Sequence, residues 1–166
     1  MFDSLTSSWI TKRRLGRYRR LIKTVHKIQA GFLSWSDEEL RAERLSLSLQ
    51  ARSGVQREKF LPRSFALIRE SARRTVSMEH YDAQLLGGCA LAEGYIAEMA
   101  TGEGKTFTAT LPLFLYSLFG RGAHLVTAND YLAERDAEWV RPIFELLGVQ
   151  VGSILQQSSD AERALA

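Results

Sequence analysis

The residues best suited to chemistry stand together near the middle of the chain: Thr101-Gly102-Glu103-Gly104-Lys105-Thr106, with Ile96 and Met99 before them and an apolar run from Phe107 after them. Glycine lets a backbone take left-handed torsions and come close to phosphate oxygens, so Gly102 and Gly104 would turn N–H groups inward around an anion. Lys105 adds a point charge, and the Thr106 hydroxyl can complete the shell of a Mg2+ ion. A helix opening at Lys105 would add the positive end of its dipole. These are the parts of a Walker A phosphate loop (P-loop) for a nucleoside triphosphate. They make Lys105 and Thr106 the candidate catalytic residues and Thr106 the candidate Mg2+ ligand. The strict pattern asks for a further glycine where Met99 stands. The competing reading is a glycine-rich turn that binds nothing.

Such a loop has to be carried between a strand and a helix, and the surrounding pattern supplies both. Tyr95 to Met99 reads as a short buried strand, Lys105 to Phe119 as a helix despite Pro112, and Ala123 to Ala128 as a second strand. Tyr131 to Leu147 reads as a helix capped by Asn129 or Asp130, and Val149 to Ile154 as a third strand, with Gly120 and Gly148 at the helix C-termini. Alternating strands and helices with short connections predict an α/β fold with parallel strands. Three strands are fewer than such a sheet normally needs, so an incomplete domain is expected.

The N-terminal part reads as helices. Tyr18, Leu21, Ile22, Val25, Ile28 and Phe32 recur at steps of three and four, giving a basic amphipathic helix within residues 1–35. A helical segment over 36–76 follows. Ser36 and Glu39 form its capping box, Trp35 can staple onto Leu40, and the stretch from Ala51 to Lys59 reads as a connection. Beyond Pro62, the residues Leu61, Phe65, Ile68 and Ala72 share one face of a third helix. A shorter helix runs from about Met78 to Gly87-Gly88, inside a third region, 77–166, that carries the phosphate loop.

Composition limits the alternatives. At 166 residues, 45% hydrophobic and 25% charged, the chain is about one ordinary domain long. The single cysteine, Cys89, excludes an internal disulfide and reads as a small apolar residue beside two glycines. No apolar run is long enough to span a bilayer, and a cytosolic location is expected. Charge is uneven: Lys12, Arg13, Arg14, Arg17, Arg19, Arg20, Lys23 and Lys27 face Asp3 alone, so residues 1–36 carry +7 and the remainder −4. That basic helix could attach to anionic lipid, bind nucleic acid or simply keep a solvated face.

Three segments then carry a family likeness. Met78-Glu79-His80-Tyr81-Asp82-Ala83-Gln84-Leu85-Leu86-Gly87-Gly88, Ile96 to Thr106, and Val126-Thr127-Ala128-Asn129-Asp130-Tyr131-Leu132-Ala133-Glu134-Arg135-Asp136-Ala137, in that order, closely resemble the start of the SecA family, the ATPase motors of bacterial preprotein export. The likeness extends over essentially the whole chain. It implies a RecA-like P-loop sheet after the N-terminal helices, and an ATP-dependent protein translocase with ATP and Mg2+ as cofactors. Carried over by position, Gln84 reads the adenine edge with help from Met78 and Tyr81, and Gly102, Glu103, Gly104, Lys105 and Thr106 bind the phosphates. The family's implied partners are the SecYEG translocon, preproteins and anionic lipids, met by a cytoplasmic protein peripheral to the inner membrane. A second reading takes the same loop as part of a nucleic-acid helicase, but the helicase run Pro-Thr-Arg-Glu-Leu is replaced by Thr127-Ala128-Asn129-Asp130-Tyr131-Leu132, so nucleic acid is not the expected partner.

Ala100, Cys89 and Arg63-Ser64 depart mildly from the family pattern. The acidic motif that holds Mg2+ in the family lies beyond these 166 residues, so the chain alone is expected to lack hydrolysis. The rival to a motor fragment is a non-catalytic membrane- or translocon-binding module with a vestigial nucleotide site.

Overall fold

The computed structural model describes residues 2–165, with side-chain surroundings from residue 12 to residue 164. Among the described residues seven helices follow in order: α1 (Phe2–Phe32), α2 (Asp37–Arg52), α3 (Arg57–Val76), α4 (Asp82–Ala92), α5 (Lys105–Ser117), α6 (Asp130–Leu146) and α7 (Asp160–Leu165). The central element is α3, which packs against α1, α2, α5 and α6, while α4 lies against α5 and α1. Its middle is buried almost without interruption from Ser64 to Ile68. One apolar core runs from Tyr18, Ile22 and Val25 through Phe65 and Ile68 to Phe114, Ile143 and Leu147.

No strand occurs among the described residues, which corrects the expected α/β fold with a parallel sheet. The runs 95–99, 123–128 and 149–154 are non-helical connectors without ladder hydrogen bonds. Ile96 is 97% and Val126 91% exposed, where a buried strand would have hidden them. The physical reason lies in what covers what. A parallel ladder of short runs is stabilised by layers on both faces, whereas here the helices bury their apolar faces directly on one another around α3, leaving Ile96 and Val126 outside the core and Val149 and Val151 only partly buried against it.

Local signals explain the helix boundaries. Ser36 and Glu39 close a reciprocal capping box, with Glu39 N–H donating to Ser36 Oγ at 3.2 Å and Ser36 N–H to Glu39 Oε2 at 2.6 Å. Trp35 packs on Phe32, with ring centroids 4.7 Å apart. The connection after α2 is shorter than expected, since α3 begins at Arg57 and carries Pro62 inside it. The hydrogen bond that Pro62 cannot make would have fallen on the carbonyl of the exposed Glu58, where water can replace it. Asn129 is the cap of α6, its Oδ1 accepting from Leu132 N–H at 2.9 Å. Gly87 and Gly88 lie within α4 and do not close it. A Cβ on Gly88 would come within 2.6 Å of Leu111, so the glycine sets how closely α4 and α5 approach.

The apolar stripe of α1 is buried, with Tyr18, Ile22, Val25 and Phe32 all in the core. Its basic face divides. Arg14 lies over the Tyr95 ring, 3.8 Å from the centroid, and Arg17 pairs with Glu93 at 2.5 Å, while Lys12, Arg19, Arg20, Lys23 and Lys27 are exposed. Beneath α1, the fully buried Glu70 accepts from Arg73 and Arg74 on its own helix. Burial alone would raise its carboxyl pKa. Hydrogen bonds from Arg73, Arg74 and Gln29 outweigh burial and hold the group below the ordinary range.

Candidate functional site

The loop between residue 99 and α5 turns on two glycines. Gly102 (φ 85°) and Gly104 (φ 80°) both adopt left-handed backbone, which side chains with a Cβ resist. Gly104 is the residue before α5 and offers no side-chain cap. The first bond of that helix runs from Thr108 N–H to the Gly104 carbonyl at 2.9 Å. The preceding N–H groups of Lys105, Thr106 and Phe107 therefore point out of the helix end, where an anion can take them.

Side chains fix the loop from three directions. From α4, Gln84 donates its Nε2 to the Glu103 carbonyl at 3.0 Å, and its Oε1 accepts from Tyr81 N–H at 3.0 Å. Within the loop, Glu103 Oε2 accepts from Ala100 N–H at 3.1 Å, and Lys105 Nζ donates to the Ala100 carbonyl at 2.8 Å. From α6, Asp136 Oδ2 accepts the Thr106 hydroxyl at 3.2 Å. Thr106 and Asp136 also line a cavity of about 810 Å³ between α5, α6 and the connectors around Gly122 and Val151.

Gly102, Glu103, Gly104, Lys105, Thr106 and Gln84 thus gather at one place. Met78 and Tyr81 precede α4 and are exposed, Tyr81 to 76%. Both halves of the Gln84 amide are already engaged with the protein's own backbone, so reading a base edge would require it to exchange one of these bonds. Lys105 in this arrangement is engaged as a donor to the Ala100 carbonyl, on a flexible four-carbon stem.

Two residues that sequence reasoning did not single out complete the surroundings. His80 is fully buried and stacks on Phe107, with centroids 3.7 Å apart. Its Nε2 lies 3.0 Å from both the Phe107 carbonyl and Thr110 Oγ1. Because the carbonyl can only accept, Nε2 carries the proton and Nδ1 is the bare nitrogen, buried with no partner. Burial, aided by the charge of Arg69, lowers the imidazole pKa to about 3, so the ring is neutral. The second is Asp136, which the sequence placed on the following helix without showing that this helix folds back over Thr106. Cys89 is buried, and burial pushes its thiol up to about 12, which leaves it an inert core residue.

The helical bundle thus presents, at the uncapped start of α5, a loop hinged on two left-handed glycines. Residues 4–166 match the family model described as SecA DEAD-like domain, and the chain belongs to the SecA family. It is 51% identical over 154 residues to protein translocase subunit SecA 2 of Rhodopirellula baltica, covering 93% of this chain and 23% of that protein. It is 49% identical over 151 residues to protein translocase subunit SecA 2 of Streptomyces avermitilis, covering 91% of this chain and 16% of that protein. Protein translocase subunit SecA of Nitrosomonas europaea is 45% identical over 154 residues, covering 93% of this chain and 17% of that protein. The chain thus spans between 16% and 23% of the length of these relatives.

Proposed function

We propose that this chain forms the ATP-binding part of a SecA-type protein translocase motor, with the loop from Gly102 to Thr106 as its phosphate cradle. The observation that carries the reading is the pair of left-handed glycines leading into the bare start of α5, with Lys105 and the Thr106 hydroxyl on the first helical residues. Backbone N–H groups of that turn would hold the phosphates, and Lys105 would leave the Ala100 carbonyl to neutralise them. Thr106 would ligate a Mg2+ ion, which supplies charge neutralisation on the phosphates when bound. Gln84, with Met78 and Tyr81 beside it, would select adenine.

The relatives' names, protein translocase subunits, support protein translocation as the process this site serves, and membership of the SecA family supports a translocon and preproteins as partners. The exposed bases of α1, Lys12, Arg19, Arg20, Lys23 and Lys27, would hold the protein peripherally on anionic lipid at the cytoplasmic face of the inner membrane. Since the apolar stripe of α1 is buried in the core, this attachment is electrostatic and needs no inserted helix face.

Calorimetric titration of the chain with Mg-ADP tests the reading. Saturable binding that weakens at least tenfold in Lys105→Ala supports it, and equal affinities for the two proteins overturn it.

A further inference from the structure

Thr106 donates its hydroxyl hydrogen to a specific acceptor. Asp136 Oδ2 receives it at 3.2 Å, across the gap between α5 and α6, and only 13% of the Asp136 side chain remains exposed. The other carboxylate oxygen, Oδ1, accepts from the neighbouring Arg135 guanidinium through Nε at 3.0 Å and through the terminal nitrogen at 2.7 Å. The three groups form a line, Arg135 to Asp136 to Thr106, that ends on the hydroxyl of the second residue of α5.

A threonine hydroxyl ligates a cation through an oxygen lone pair, so its proton has to point elsewhere. Near the start of a helix that proton could turn to a backbone carbonyl or to water. A carboxylate acceptor fixes it instead, and the bond strengthens when a cation draws electron density from the oxygen, because the hydroxyl becomes a better donor. Arg135, with two hydrogen bonds to Oδ1, fixes the orientation of the carboxylate.

Resting on the nucleotide-site reading above, we infer that Asp136, oriented by Arg135, is a positioning residue for the metal shell of this site: it accepts the Thr106 hydroxyl so that the oxygen presents lone pairs to a divalent cation. A plain tether between α5 and α6 would use the same hydrogen bond but would not distinguish metal-bound from metal-free nucleotide.

The two roles separate in ADP titrations with Mg2+ present and with Mg2+ removed by chelation, on the wild type, Asp136→Ala, Asp136→Asn and Thr106→Val. Asp136→Ala is expected to lose about 10- to 100-fold in affinity for ADP with Mg2+, and about twofold or less without it. Asp136→Asn, which keeps an acceptor oxygen and the side-chain shape, falls between and stands in if the alanine variant does not fold. In a Thr106→Val background, Asp136→Ala adds no further loss. Equal losses with and without Mg2+, no loss in either, or a full additional loss in the Thr106→Val background would each overturn the assignment. Failure of the wild type to bind ADP at all is a different outcome, which removes the nucleotide-site reading and this inference with it.

Discussion

The Gln84 side chain joins two backbones, its Nε2 donating to the Glu103 carbonyl and its Oε1 accepting from Tyr81 N–H, both at 3.0 Å. The start of α4 and the glycine loop before α5 are thereby held as one unit. Gln84→Ala leaves both backbone groups without their partner, and the expected cost is about 1 to 3 kcal/mol of stability, measured by chemical denaturation. If Gln84 also reads the base, ATP and GTP should compete equally against labelled ADP in the variant. Retained preference for ATP would remove Gln84 from base recognition.

The two loop glycines should differ in their tolerance of alanine. Gly102 and Gly104 are both left-handed, so each Gly→Ala change carries the strain of that backbone, about 1 to 2 kcal/mol. Only Gly104 also meets an obstacle, since a Cβ there would come within 2.5 Å of Gln84 Nε2, whereas nothing lies within 4 Å at Gly102. Gly104→Ala should therefore destabilise more than Gly102→Ala, and much of the excess should disappear in a Gln84→Ala background. Equal effects of the two substitutions would contradict the close approach of Gln84 to the loop.

Burial of His80 gives stability a pH dependence of known sign. The unfolded imidazole gains a proton near its ordinary value of 6.5, while the folded one resists until about pH 3. Between those values the unfolded state binds more protons, so stability is full above about pH 6.5 and falls as pH drops toward 3. The Glu70 carboxylate, held below its ordinary 4.5, adds a loss of the same sign once the pH passes below that value. Denaturation midpoints at a series of pH values should fall from pH 6.5 downward in the wild type. In His80→Phe the decline should begin only near pH 4.5. Identical profiles would show that His80 is not buried neutral.

Binding of α1 to lipid should be electrostatic. Replacing Arg19, Arg20, Lys23 and Lys27 with Gln removes exposed bases worth about 1 kcal/mol each near an anionic surface, and leaves the buried stripe intact. Co-sedimentation with vesicles rich in anionic lipid should drop on that change and on raising salt. Equal binding to neutral and anionic vesicles would contradict it.

Much of the helical frame was legible because its signals are local. Ser36 and Glu39 announce a capping box three residues apart, and the steps from Tyr18 to Phe32 mark the face that α1 buries. The glycine spacing of the loop likewise pointed to left-handed backbone at Gly102 and Gly104. The connectors were misread because short apolar runs such as Tyr95 to Met99 carry no information about what will pair with them. Burial of such a run depends on distant elements, and here α3 takes the central position instead. The same limit hid Asp136 and His80. Asp136 reads as one more charged residue of an amphipathic helix until α6 is seen to cross Thr106, and His80 reads as part of a short helix from about Met78 until it is found before α4, flat against Phe107.

Hydrogen exchange read residue by residue, with and without saturating Mg-ADP, bears most directly on the claim that the loop at the head of α5 is a phosphate cradle. The N–H groups from Gly102 to Phe107 should exchange markedly more slowly when the nucleotide is present, with α2 and α3 unaffected, and Lys105→Ala should abolish the difference. Unchanged exchange across residues 102–107 in the wild type, at a nucleotide concentration that saturates binding, would contradict the account.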